Sequence, residues 1–175
     1  MNIIRNKFRT LGYVIITKCL FFLPDKIYLY LMFRNRMGVW PNLKHPKSFI
    51  EKINWLKLYN RKPEYSVMVD KYAVKEYVAK KIGPEYIIPT IAVWERPEDI
   101  EWKKLPEKFV LKTTHGGGGC GVVVCNDISQ FDKSAAINKL RNSINSDVYI
   151  NYREWPYKNV KKQIIAEEYM EKSSS

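Results

Sequence analysis

The sequence predicts an α+β protein, in which a helical N-terminal region, residues 1–62, is followed by a region of helices and antiparallel strands, residues 63–175. Three observations support this fold class. Apolar residues at helical spacing dominate the first region. Short runs rich in valine and isoleucine recur between turn residues in the second region. Four consecutive glycines, Gly116–Gly119, stand between two of these runs and predict a loop that joins neighbouring strands.

The length and composition are those of a globular protein. The 175 residues are enough for one domain with a sizeable core, or for part of a larger protein. Hydrophobic residues make up 46% of the chain, which excludes a disordered protein. Cys19, Cys120 and Cys125 cannot all pair, and the C-x4-C spacing of the last two is no zinc signature without further ligands. We therefore expect reduced thiols and a cytoplasmic location.

The charge balance predicts an anionic partner. There are 30 Lys and Arg residues against 18 Asp and Glu, a formal net charge of +12. Nucleotide phosphates, anionic glycans, an acidic membrane face and nucleic acid all meet this requirement. The lysines are scattered and no common nucleic-acid-binding motif is present, so we expect no nucleic-acid partner and a largely solvated basic surface.

The N-terminal region predicts two amphipathic helices, residues 2–22 and 25–36. Asp25 is expected to cap the second helix and Gly38 to end it. No stretch reaches the ~18 uncharged residues that a membrane span needs, and no small-residue cleavage site follows Leu23. The broad apolar surface favours packing in a core. Peripheral docking on an acidic membrane face is the alternative.

Local signals predict two further helices. Ser48 and Glu51 have the spacing of a capping box and begin a helix that runs to about Tyr59. A longer helix is expected over 65–82, because apolar residues recur near one face, and Gly83 ends it.

Four strands and one more helix follow. "YIIPTIAVW" (86–94) contains Pro89, which predicts an edge strand or a strand entry. "KFVLKTT" and "GVVVC" predict strands on either side of the glycines, and "KQIIAEEYM" predicts a final strand. Residues 132–145 predict the helix.

The glycine run allows two interpretations. A loose hairpin turn would favour glycine and need no ligand. A loop that lies flat on phosphates would also lack side chains, because its bare N–H groups must converge on anionic oxygens. Lys112, at the end of the preceding strand, would add a positive charge to the same oxygens. The order of residues matches neither the Walker motif nor G-x-G-x-x-G.

Three blocks of the sequence carry a resemblance to a known family. They are "PKSFIEKINWLKLYNRKPEYSVMVDKYAVKEYVAKKIGPEYIIPTIAVW", "LPEKFVLKTTHGGGGCGVVVC" and "REWPYKNVKKQIIAEEYM". In order and content they resemble the teichuronopeptide-biosynthesis, TupA-like, branch of the ATP-grasp proteins, over about residues 20–171. The resemblance implies a bacterial protein of cell-surface or capsular polysaccharide biosynthesis. Some relatives of this kind carry glycosyltransferase-like labels.

The resemblance also implies a site and a reaction. ATP-grasp enzymes hold ATP between two α+β lobes and activate a carboxylate as an acyl phosphate. Lys71 and Lys112 would reach the phosphates beneath a glycine-rich flap, Glu167 or Glu168 would accept the adenine amine, and backbone at the end of the last strand would face the ring. The nucleotide-binding residues so implied are Lys71, Lys112, His115, Gly116, Gly117, Gly118, Gly119, Glu167, Glu168, Tyr169 and Met170.

Each assignment has a simpler alternative. Lys71 would then be a solvated helix residue, either glutamate a charge on a strand face, and His115 an ordinary hydrogen-bonded loop residue.

Two departures from the family pattern affect the expected activity. "TTHGGGG" replaces the more usual "CNHGSGG"-like flap but keeps the histidine and the glycines. The residues that bind Mg²⁺ follow the last strand in the ATP-grasp plan, and almost nothing follows it here. We therefore expect an N-terminal portion, truncated before the second lobe, that binds ATP but does not catalyse. The Mg²⁺ ligands would lie in a missing C-terminal half or partner chain, and no metal ligand is assigned here.

Two other functions remain as alternatives. The first is a non-enzymatic basic adaptor at an acidic glycan or membrane surface. The second is a glycosyltransferase-like protein, which is less well supported because no D-x-D-like pair is present.

Overall fold

The computed structural model of the chain describes residues 2–171, with side chains from residue 7 onward. Helices and one four-stranded antiparallel sheet make up this part of the chain, which confirms the α+β class. The chain divides into two compact units. The helical unit contains the residues up to Lys62 and Tyr149–Lys158, and the sheet unit contains Pro63–Val148 and the residues from Asn159 onward.

The helical unit is built from α1 (Asn2–Cys19), α2 (Asp25–Met37) and α3 (Phe49–Tyr59). Two local predictions are confirmed here. Gly38 ends α2 in the left-handed conformation, with φ of 79°, and its N–H donates to the carbonyl of Arg34. The Ser48 side chain accepts from the Glu51 N–H while the Glu51 carboxylate accepts from the Ser48 N–H, which completes the capping box.

The cap predicted at Asp25 is wrong. Pro24 occupies the N-cap position, and a proline side chain has no oxygen that could cap the helix. The Asp25 carboxylate accepts a hydrogen bond from the Tyr149 hydroxyl (2.8 Å) and pairs with the Arg61 guanidinium (2.6 Å). Buried Arg153 lies 3.4 Å from the same carboxylate. Asp25 therefore makes tertiary contacts and does not cap the helix, because its partners come from distant parts of the chain.

Only one face of α1 packs in the core. Ile16 lies in a buried cluster with Tyr28 and Met32 of α2. The other face is exposed, and the large apolar side chains on it are Phe8, Leu11, Val14 and Ile15. The expected core packing is therefore found on one face of this helix, and the opposite face is exposed. The helix ends at Cys19, three residues before the predicted end, because the chain turns ahead of Pro24.

The sheet unit begins with α4 (Glu64–Val69) and α5 (Ala73–Ile82). A single helix over 65–82 was predicted, and this prediction is wrong. The Asp70 carboxylate accepts hydrogen bonds from the N–H groups of Tyr72 (2.8 Å) and Ala73 (3.2 Å), so the chain breaks between the two helices. A short polar side chain that binds nearby backbone competes with helix formation. The predicted stop at Gly83 is confirmed.

The remaining elements are β1 (Thr90–Trp94), β2 (Phe109–Thr113), β3 (Val122–Cys125), α6 (Lys133–Ile144), α7 (Val148–Tyr152) and β4 (Ile164–Glu168). The strand order is β1-β4-β2-β3 and every pairing is antiparallel. The strand after Pro89 is an edge strand, as predicted. The last strand, β4, lies between β1 and β2, and four of its five residues are buried. The short helix α7 was not predicted.

The two faces of the sheet differ in chemistry. One face packs against α6 in an apolar core that includes Phe109, Leu111, Leu140, Ile164 and Ala166. Side chains alternate along a strand, so the residues between these point to the opposite face. That face carries Lys112 of β2 and Glu167 of β4, and it positions the candidate site.

Candidate functional site

A buried carboxylate between two lysines lies at the centre of the site. Glu167 is 4% exposed and stands opposite Val110 in the β2–β4 register, while Lys112 stands opposite Ile165. Lys112 and Glu167 are therefore diagonal neighbours on one face, within reach of a long side chain. Their ammonium and carboxylate groups form an ion pair.

Lys75 of α5 supplies the second cation. Its Nζ lies 2.6 Å from Glu167 Oε1, and it also donates to the carbonyl of Ile88 (2.6 Å) and the hydroxyl of Thr90 (2.7 Å). Sequence reasoning missed this residue. The available signal was its spacing of four residues from Lys71. In the helix predicted over 65–82, this spacing would place the two lysines on the same face.

Lys71 lies in the turn between α4 and α5, beside the loop that follows β2. Its backbone N–H donates to the carbonyl of Thr114 (3.0 Å), and its ammonium group donates to the carbonyl of Gly116. Burial lowers the pKa of Lys71, and the neighbouring charge of Lys112 lowers it further. The two lysines assigned to phosphate binding therefore lie close enough to influence each other.

The local charge is positive. The ammonium groups of Lys71, Lys75 and Lys112 face the carboxylates of Glu167 and Asp70, which leaves an excess of one positive charge. The site is partly removed from solvent, with side-chain exposures of 16% for Lys75 and 26% for Lys112. An incoming anion would balance this charge in an environment where electrostatic interactions are stronger than in bulk water.

The loop between β2 and β3, residues 114–121, is here called the glycine loop. Its central residues, Gly117, Gly118 and Gly119, are exposed, and a side chain added at any of them would meet no atom within 4 Å. Within residues 2–171, their three backbone N–H groups donate to no acceptor of the chain. Successive free N–H groups in a turn form an arrangement that binds anions.

Other glycines of this loop are needed for packing. A Cβ atom at Gly121 would lie 2.0 Å from Thr113 Oγ1 and 2.3 Å from Ser143 Oγ, and one at Gly116 would lie 2.5 Å from Thr113 Oγ1. These two hydroxyls form a buried hydrogen bond of 2.8 Å that ties β2 to α6. The base of the loop thus requires glycine for close packing, whereas Gly117 has no packing requirement.

His115 anchors the glycine loop to α6. The side chain is buried, and its Nε2 lies 3.1 Å from the carbonyl of Ser143, so Nε2 donates and Nδ1 is the free acceptor. Within the described residues Nδ1 has no hydrogen-bond partner. Burial lowers the pKa of His115, and the charge of Lys162 adds to this effect. At neutral pH the folded protein therefore holds a neutral imidazole.

The lowered pKa predicts an acid-sensitive fold. Between the pKa of His115 in the folded protein and its ordinary value of about 6.5, the unfolded chain binds a proton that the folded chain does not. Stability should therefore fall as the pH drops below about 6.5. Thermal unfolding of the wild-type chain and of His115→Gln across this range would measure the effect, because glutamine keeps an N–H donor but does not titrate. His45→Gln is the control, since His45 is the other histidine and is exposed. An unchanged pH dependence in His115→Gln would contradict the assignment.

Glu168, the last residue of β4, points away from the lysine cluster. Glu168 is exposed and follows Glu167 directly, so it points to the other face of the strand, and its backbone N–H donates to the carbonyl of Pro89 (3.2 Å). Tyr169 is partly buried and Met170 is 64% exposed. Of the two glutamates, Glu167 is therefore the one that the fold brings together with Lys71 and Lys112.

The groups gathered at the site suit an anion. Residues 2–171 contain no group of three or more His, Cys, Asp or Glu side chains that could hold a metal. The ammonium groups and the free N–H groups suit the anionic oxygens of a nucleotide. The chemistry that these residues can perform is therefore binding and charge neutralisation of phosphate.

The fold and the site together define an α+β protein with a glycine loop and lysines on one face of an antiparallel sheet. The family model described as TupA-like ATPgrasp matches residues 51–175, more than half of the chain. The chain belongs to the TupA-like ATPgrasp family. Comparisons with curated proteins and with solved structures gave no match.

Proposed function

We propose that the sheet unit binds ATP or ADP, with the phosphates lying between the glycine loop and the lysines. The observation that carries this proposal is the set of free N–H groups at Gly117–Gly119, next to a cluster with an excess of positive charge. Membership of an ATP-grasp family supports ATP as the ligand.

Each residue of the cluster has a distinct role in this proposal. Lys112 exchanges its ion pair with Glu167 for a phosphate oxygen, since its side chain is the more exposed of the two that contact this carboxylate. Lys75 stays with Glu167 and keeps that charge paired. Lys71 holds the carbonyl of Gly116 and so orients the glycine loop, with its own charge directed at the same phosphates.

The adenine ring is proposed to lie against the end of β4. Glu167 or Glu168 would accept the exocyclic amine, and the backbone of Tyr169 and Met170 would face the ring edge. The support for this placement is the position of these residues at the end of the strand that also carries the cluster. His115 holds the glycine loop in position through its hydrogen bond to the carbonyl of Ser143 in α6.

The wider role is proposed from the family alone. The resemblance to ATP-grasp proteins implies ATP and Mg²⁺ as cofactors, and a carboxylate that takes the terminal phosphoryl group would become an acyl phosphate with release of ADP. We place this chain in ligase-like chemistry of bacterial cell-surface or capsular polysaccharide biosynthesis, on the cytoplasmic side, with an anionic glycan precursor as partner. For the chain itself the proposal is limited to nucleotide binding, because the groups gathered at its site bind phosphate.

Calorimetric titration with ATP, ADP and adenosine tests the proposal. ADP should bind at least about tenfold more tightly than adenosine, a difference of about 1.4 kcal/mol, because most of the contacts are to phosphate. Added salt should weaken ADP binding. Inorganic pyrophosphate serves as the control for phosphate contacts without the base. If ADP and adenosine bind equally, or neither binds, the phosphate site is wrong and the adaptor function becomes the better explanation.

A further inference from the structure

The helical unit carries an exposed apolar surface that the nucleotide site does not use. We call the side chains Phe8, Leu11, Val14 and Ile15 the outer face of α1, and they are 68%, 55%, 46% and 44% exposed. Their spacing of three, three and one residues places them on one side of the helix. Phe21 and Phe22, in the turn after the helix, are 49% and 70% exposed.

The orientation of α1 on its own unit is determined by its opposite face. Ile16 packs with Tyr28 and Met32, and the Asn35 side chain donates to the carbonyl of Arg9 (2.9 Å). Gly12 allows this approach, because a Cβ atom there would lie 2.3 Å from Asn35 Oδ1. A rotation that buried the outer face would break all of these contacts. The outer face is therefore exposed as a consequence of how the unit packs.

The charges of α1 indicate which partner could cover this surface. The helix contains Arg5, Lys7, Arg9 and Lys18 and no Asp or Glu. On an ideal helix, Lys7 and Lys18 fall within the same sector as the outer face, and both are exposed. Lysine side chains at such positions extend past an apolar layer to reach anionic groups at its surface. The combination of apolar and basic groups on one side matches the boundary between lipid headgroups and acyl chains.

Two other arrangements fit less well. No helix within residues 2–171 is long and apolar enough to cross a membrane. A second copy of the chain would bring the exposed cations Lys7 and Lys18 of two outer faces against one another, and like charges repel. An anionic lipid surface accommodates both the apolar side chains and the cations.

We propose that α1 lies flat on an anionic bilayer, with Phe8, Leu11 and Ile15 inserted at the headgroup boundary and Lys7 and Lys18 on lipid phosphates. This surface goes beyond nucleotide binding and involves no residue of the phosphate site. It would hold the chain at a membrane surface.

Vesicle sedimentation tests the proposal on the full chain. The wild-type protein should sediment with phosphatidylcholine vesicles that contain phosphatidylglycerol, and much less with phosphatidylcholine alone. The double variant Phe8→Asp with Leu11→Asp should lose at least about tenfold in vesicle affinity, because two charges would enter the apolar layer. The variant Lys7→Gln with Lys18→Gln should bind more weakly than the wild type and depend less on phosphatidylglycerol and on salt. Ile82→Asp with Tyr86→Asp, at two exposed apolar residues of the sheet unit, is the matched control and should bind as the wild type does.

The outcomes separate this proposal from the alternatives. Far-UV circular dichroism of each variant checks that α1 still folds, and ADP titration of the same variants should give the wild-type result. Wild-type vesicle binding by the Phe8→Asp, Leu11→Asp variant would overturn the proposal. So would a self-association of the wild-type chain that this variant abolishes, because the outer face would then be a contact between copies.

Discussion

Replacing Lys112 by alanine is expected to weaken ADP binding by about 1.5–3 kcal/mol, roughly ten- to hundredfold, the range for a hydrogen bond to a charged group. The reason is the loss of the ammonium group that can pass from Glu167 to a phosphate oxygen. Stability should change much less than binding, because Glu167 keeps its contact with Lys75 at 2.6 Å. Calorimetric titration with ADP, together with thermal unfolding of the same sample, measures both effects.

Lys108→Ala is the matched control for this experiment. Lys108 precedes β2 by one residue, and its side chain is exposed and pairs with exposed Glu171 (2.5 Å). Exposed pairs of this kind contribute about 0–1 kcal/mol to stability. Its removal lowers the net charge by the same amount as Lys112→Ala. Equal losses of ADP affinity in the two variants would mean that general electrostatic attraction, and not a specific contact, explains the role of Lys112.

Replacing Gly117 by valine is expected to lower the affinity for nucleotide at least about tenfold, while the fold is kept. The new side chain would meet no atom of the protein within 4 Å, and the backbone at this residue needs no positive φ. It would, however, fill the space that phosphate oxygens must enter to reach the free N–H groups. Gly118 and Gly119 are unsuitable for this test, because their φ values of 61° and 77° would strain any β-branched residue.

Gly121→Ala should show the opposite behaviour and serves as the comparison within the same loop. Its Cβ atom would overlap Thr113 Oγ1 and Ser143 Oγ, so we expect a destabilisation of about 1–3 kcal/mol, the usual cost of overpacking. Chemical denaturation and ADP titration of both variants would separate the structural glycine from the functional one. If Gly117→Val binds ADP as the wild type does, phosphates do not approach the glycine loop.

Several features of the fold could be predicted from the sequence because they depend on neighbouring residues. Gly38 and Gly83 end their helices, and Ser48 with Glu51 begins another, through φ values and hydrogen bonds that a few consecutive residues satisfy. The break at Asp70 is local too, but the helical pattern of the flanking apolar residues concealed it.

Part of the candidate site could be predicted in the same way. The sequence alone places Lys112 at the end of a strand that is followed by glycines, and it identifies the Gly116–Gly119 run as a loop with an unusual lack of side chains. Composition alone also indicates an anionic partner, through the net charge of +12. These inferences need no knowledge of how distant segments meet.

Only the tertiary structure determines which charged residues form ion pairs. The last strand, β4, inserts between β1 and β2, and this register brings Glu167 to Lys112 and also to Lys75 of α5. It also decided that α1 packs with one face and leaves Phe8 and Leu11 exposed. Local periodicity shows that a strand or an apolar face exists. Long-range pairing and burial determine which strand pairs with it or which surface covers the face, and both depend on the whole chain at once.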